Sequence, residues 1–234
     1  GGAQNIWRYN ADGSDQKPLT TGTEEGKVFP VLSGGSDTLY FLNHFDYWRM
    51  NAEGLNQQKI TTDGATDFPA SANDQWVVYT SRKDGGEYRI WKTATRGGAA
   101  IRLTDVESSR PALSPDGKLI AYIHTEKGQP KNLAVISIDG GKPIKTFTLP
   151  PTLSASAAAS LLWTKGGDSI LFVNTLGTTS NIWKQPLDGG PPKSVTTFNE
   201  FQIAAFALNP EGTRMVLSRG SRNRDIVLVR NILK

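Results

Sequence analysis

Short apolar runs separated by Gly, Pro and Asp turns make up most of this chain, and no segment keeps an apolar period of about 3.6 residues over a helical length. The stretch from Arg110 to Gly141 shows the pattern most clearly. Pro111-Ala-Leu113 opens a strand, and Ser114-Pro-Asp-Gly117 supplies a turn in which Pro fixes φ and Gly accepts a positive one. Leu119 to Ile123 is then a second strand, and Asn132 to Ile138 a third. The turn Asp139-Gly140-Gly141 follows, and Lys145 to Thr148 is a fourth strand. Four short antiparallel strands joined by tight turns form one blade of a β-propeller.

The unit repeats. Trp7, Trp48, Trp91, Ala134, Trp183 and Val227 share a third-strand column with steps of 41, 43, 43, 49 and 44 residues. A period near 40 to 45 residues with about four strands each is the propeller signature. Six residues after each of the first five column members stands a glycine: Gly13, Gly54, Gly97, Gly140 and Gly189. Fourth strands end in an apolar residue and a threonine: Leu19-Thr20, Ile60-Thr61, Leu103-Thr104, Phe147-Thr148 and Val195-Thr196. First strands open with Phe29-Pro30, Phe68-Pro69 and Arg110-Pro111, then degenerate to Ser160 to Trp163 and Ala205 to Leu208.

This register predicts an all-β chain with about six blade positions, the first and last incomplete, and residues 1–234 forming a single domain. The chain opens on a third and fourth strand from about Asn5 to Thr20, runs through four complete blades, and ends on a first, second and third strand from about Ile203 to Val229. It reads as the C-terminal part of a six-bladed ring, with closure as five blades the alternative. Leu153 to Leu161, rich in Ala and Ser, reads as a long connection entering a small-residue inner strand, and a short helical turn there is also compatible.

Composition narrows the function. The 24 glycines and 13 prolines punctuate apolar runs, as in a turn-rich sheet protein. The absence of cysteine excludes thiol catalysis and cysteine metal sites and leaves the compartment open. No apolar run reaches the roughly 18 residues that a membrane helix needs. A net charge of +4 with mixed signs suits a soluble surface, so no nucleic-acid partner is expected. The basic residues Arg214, Arg219, Arg222, Arg224 and Arg230 read as a solvated hairpin rim, the competing reading being an anion patch.

The repeat columns resemble the TolB-type, WD40-like β-propeller repeats of bacteria. The residues that carry the resemblance are Leu113 to Ala121, Asn5 to Gly13, and Asn181 to Gly190 followed by Val195-Thr196. More narrowly, Asn181 to Thr197 and the ending Asp225 to Asn231 look like the C-terminal propellers of acidobacterial proteins that carry a serine/threonine kinase or a winged-helix domain. That likeness implies the sensory half of a bacterial signalling protein, periplasmic or otherwise extracytoplasmic. The motifs specify fold strongly and function weakly.

Candidate chemistry concentrates at one end of the expected ring. Glu24, Glu25, Asp67, Glu107 and Glu200 fall in connections from a fourth strand to the next first strand, which in a propeller gather at one mouth of the channel. Phe68, Arg110 and Phe201 stand beside them, with Lys27 and Phe29. Such a ring suits a cation or a basic peptide segment, whereas the plainer reading is that loops are acidic because they are solvated. The Trp column reads as packing between sheets, and the Asp-Gly pairs as turns, because they lack the alternating acidic ligands of a calcium loop. His44 and His124 are the only histidines; both follow second strands on outer parts of their blades, so they read as structural or surface residues rather than as imidazoles converging on the axis to hold a metal. No Gly-x-Ser-x-Gly elbow is present. The expectation is therefore a non-catalytic recognition propeller without cofactor or metal, binding a protein, peptide or small ligand at its mouth or face. A carbohydrate-active enzyme using two of the carboxylates is the competitor.

Overall fold

A computed structural model describes residues 4–10, 12–22, 26–33, 37–62, 64, 71–126, 128–149 and 161–221. Among them the chain is all-β, a β-propeller with six successive antiparallel sheets. The first holds β1 (Trp7–Arg8) and β2 (Lys17–Pro18); the second β3 (Val28–Leu32), β4 (Thr38–Asn43), β5 (Asp46–Asn51) and β6 (Gln58–Lys59). The third holds β7 (Ser71–Ala72), β8 (Trp76–Ser81), β9 (Arg89–Ala94) and β10 (Ile101–Arg102); the fourth β11 (Ser108–Leu113), β12 (Leu119–His124), β13 (Asn132–Ser137) and β14 (Gly140–Thr148). The fifth is β15 (Leu162–Trp163), β16 (Ser169–Leu176), β17 (Thr179–Pro186) and β18 (Lys193–Ser194), and the sixth pairs β19 (Gln202–Leu208) with β20 (Met215–Gly220). The third strand expected near Asp225 to Val229 and most of the Ala/Ser stretch lie outside the described residues.

The second to fifth sheets are apolar on both faces because a neighbour covers each. Along β8, Val77 and Tyr79 meet Tyr40, Leu42 and Tyr47 of the second sheet, while Val78 meets Ile120 and Tyr122 of the fourth. Successive side chains on a strand point to opposite faces, so one run of apolar residues serves two cores. Further clusters fill the remaining gaps: Ile6 and Leu19 with Phe41 and Met50, Leu133 and Val135 with Ile170 and Phe172, and Ile182 with Ile203 and Phe206. Trp48, Trp91 and Trp183 pack in these gaps, each against the preceding sheet. Trp7, on the outer face of the first sheet, is 47% exposed.

The threonine column has a definite task. Thr20, Thr61, Thr104 and Thr196 each accept, at Oγ1, the backbone N–H of the residue before the Trp column: Ile6, Tyr47, Ile90 and Ile182, at 2.8–3.0 Å. The side chain thus replaces a ladder bond where a two-residue outer strand ends. In the fourth sheet β14 is longer and Thr148 pairs with Asn132 in ordinary register. The glycine column supplies left-handed residues to the turns after the third strands, with φ of 84°, 83°, 85°, 85° and 97°. At Gly54 a Cβ would also collide with the Leu19 backbone of the preceding sheet.

Candidate functional site

In a four-stranded antiparallel sheet, the turn from second to third strand lies at the same end as the link from a fourth strand to the next first strand. Backbone bonds join these two sets. The Thr125 N–H donates to the Glu107 carbonyl at 3.0 Å, the Ser108 N–H to Tyr88 at 2.8 Å, and the Ser180 N–H to Phe201 at 3.1 Å. This end, the loop face, carries Glu107 before β11, Arg110 within it, and Glu200 and Phe201 before β19. Glu24, Glu25, Asp67 and Phe68 lie outside the described residues.

The four described members differ in environment. Glu107 is half-buried and Glu200 exposed. The Glu200 carbonyl accepts from Arg219 at 2.7 Å, and the Arg219 guanidinium lies 3.7 Å from the Phe198 ring centre and 5.8 Å from that of Phe201. Arg110 is only 9% exposed, and burial lowers its pKa. Its backbone explains the burial. The register slips between Ser109 and Ala112, and Arg110 takes φ 57° in front of Pro111. Phe29 repeats this at φ 55° before Pro30, with a slip between Val28 and Val31. Residues before proline ordinarily favour extended backbone, so this bulge holds strain.

Behind the loop face the first strands border a cavity of about 690 Å³. Phe29, Pro30 and Val31 of β3, Pro111 of β11, Leu162 and Trp163 of β15, and Ala205 to Leu208 of β19 form its wall, with Ser71 and Ser218 the polar side chains on it. The Trp163 indole is fixed by donating to the Ala112 carbonyl at 2.8 Å. Sequence reasoning expected carboxylates at the mouth and missed this apolar wall. The available signal was the apolar, Pro-bearing first-strand column itself.

Among the described residues, no group of three or more His, Asp or Glu is placed to hold a metal ion. His44 is exposed, and His124 Nε2 lies 3.1 Å from Glu126 Oε1. Among the described residues, the carboxyl groups with displaced pKa, Asp12, Glu53, Asp116 and Asp168, are held low, first by hydrogen bonds from Ser14, Lys17, Ser114 and Thr164 respectively. A glycosidase general acid needs the opposite displacement.

No protein-family model matches the chain. It is 32% identical over 102 residues, 43% of its length, to a Bacillus subtilis protein named uncharacterized peptidase YuxL, and spans 15% of that protein. It is 31% identical over 121 residues, 49% of its length, to tricorn protease homolog 1 of Streptomyces coelicolor, and spans 10% of that protein. The chain thus spans a small part of the curated relatives it matches. Among solved structures, TolB-type propellers are similar. One from Agrobacterium tumefaciens superposes with TM-score 0.71 at 18% identity, covering 91% of this chain and 76% of that one. TolB from Acinetobacter baumannii gives 0.66 at 21%, covering 79% and 46%. A manganese-bound oligogalacturonate lyase (0.60, 15% identity, 90% and 63%) and a gluconolactonase from Xanthomonas campestris (0.65, 13%, 93% and 76%) share the fold.

These findings correct one expectation. The non-catalytic reading does not stand, because the relatives include proteins named as peptidase and protease, and propeller neighbours include a lyase and a lactonase. Absence of a nucleophile motif from one propeller segment says little about catalysis, since the scaffold accepts chemistry on its loops or from attached domains. The likeness to TolB-type propellers shows the fold alone.

Proposed function

We propose that residues 1–234 are one recognition domain of a longer bacterial protein, and that its loop face binds a segment of a protein or peptide. The observation that carries this reading is the convergence of first strands on an apolar cavity, with Glu107, Glu200 and Phe201 in the links that lead into two of those strands and Arg110 within β11. Rigid sheets hold these groups, so little ordering is needed on binding. The likeness of Asn181 to Thr197 to acidobacterial signalling proteins supports an extracytoplasmic sensory role. A second reading, favoured by the two relatives with peptidase names, makes the propeller the part of a hydrolase that selects its substrates.

The test is selection of a random dodecapeptide display library on the immobilised chain, followed by fluorescence anisotropy with the enriched peptides. Binding weakened by Glu107→Ala with Glu200→Ala supports the loop face, and unchanged binding removes these carboxylates from the site. Cleavage of the same peptides by the longer protein favours the hydrolase reading, and intact peptides favour the sensor.

A further inference from the structure

The turn between β4 and β5 has an unusual occupant. Asn43 pairs with Asp46, leaving His44 and Phe45 as a two-residue loop with φ of 49° and 69°. Two central residues at positive φ are the type I′ arrangement, which suits Asn-Gly because a Cβ is crowded there. The corresponding turn after β16 uses Gly177, at φ 60°. At Phe45 an aromatic occupies a strained position with no compensating burial, since it is 59% exposed. The turn leans on the link into β3: a Cβ on Gly26 would lie 3.3 Å from the His44 amide. Phe45 therefore stands on the loop face, beside the entrance of β3 to the cavity wall.

Two further apolar tips share that face. Leu176, ending the longer β16–β17 hairpin, is 73% exposed, and Phe201 is 41% exposed at φ 63°. Strain kept at an exposed aromatic points to use rather than packing. We propose that Phe45 is a binding anchor for an apolar segment of a protein partner laid across the loop face, with Leu176 and Phe201 as secondary contacts. The proposal rests on the recognition reading above and narrows it to apolar, not cationic, segments. Asp46, Glu107 and Glu200 share this end with Lys27, Arg82 and Arg219. That mixed surround matches the polar rim of a protein interface, not the basic collar that anionic lipid favours.

The experiment uses peptides selected from the dodecapeptide library on the wild-type chain. Phe45→Ala, which removes the ring alone, is expected to weaken them about thirty-fold. The His44→Asn/Phe45→Gly double variant is expected to do the same while raising the melting temperature by at least about 2 °C. Full affinity in both variants overturns the anchor. If Glu107→Ala with Glu200→Ala still weakens those peptides, the recognition face survives without it; if nothing does, or no peptide is enriched, both readings fall. A lower melting temperature in the double variant contradicts the strain argument. Co-sedimentation with phosphatidylglycerol vesicles that Phe45→Ala abolishes would replace the protein partner by a membrane and also overturn the proposal.

Discussion

Replacing Thr104 by valine tests the threonine column with little change of shape. Thr104 is buried, and its Oγ1 takes the fully buried Ile90 N–H at 3.0 Å. Valine fills nearly the same volume but leaves that N–H without an acceptor. An unsatisfied buried donor costs about 1–3 kcal/mol, and a chain of this length shifts by about 2–4 °C per kcal/mol. The expected fall in melting temperature is therefore about 2–12 °C. Urea unfolding should give a lower midpoint with an unchanged slope, because the surface exposed on unfolding is the same. Thr148→Val is the matched control: it occupies the same column, but Thr148 is exposed and sits in ordinary ladder register. Its midpoint should stay within about 0.5 kcal/mol of wild type. Equal stability of the two variants would refute the assignment of a structural hydrogen bond to the column.

Further outcomes follow from the turns. Gly54→Ala should destabilise more than Gly13→Ala: both glycines have positive φ, costing alanine about 1 kcal/mol, but only Gly54 faces the Leu19 backbone while Gly13 faces open space. Chemical denaturation of the pair measures the difference. The hydrogen bond from the Ser114 hydroxyl, then that from the Lys118 amide, hold the Asp116 carboxyl below the usual carboxylate range. A folded-state pKa below the unfolded value near 3.9 gives stability present above that value and lost as pH falls through the folded one. Ser114→Ala should raise the Asp116 pKa in a carbon-detected NMR titration and flatten the acid limb of the stability curve.

The repeat made the blades legible before any coordinates, because each blade solves the same packing problem with the same residue types. Trp48, Trp91 and Trp183 pack between sheets, as the recurring column predicts, whereas Trp7 of the same column is half exposed. The position of Glu107 and Glu200 at one end follows from strand order and was also readable. The burial of Arg110 was not, since a charged residue before proline reads as a solvated loop, and it is the bulge between Ser109 and Ala112 that turns the chain inward. The apolar cavity arises from the convergence of first strands distant in sequence, so its only trace is the apolar, Pro-bearing first-strand column, which does not report how the strands meet. Phe45 was missed for a similar reason: a type I′ turn is recognised by Asn-Gly, and here the pairing of β4 with β5 imposes it on His-Phe.

Hydrogen–deuterium exchange of the chain with a selected peptide tests the binding claim most directly. Slowed exchange at the loop-face segments around Phe45, Glu107, Leu176 and Phe201, with none at the opposite turns around Gly54, Gly97 and Gly140, is the expected result. Protection confined to those glycine turns or to the outer strands would contradict it.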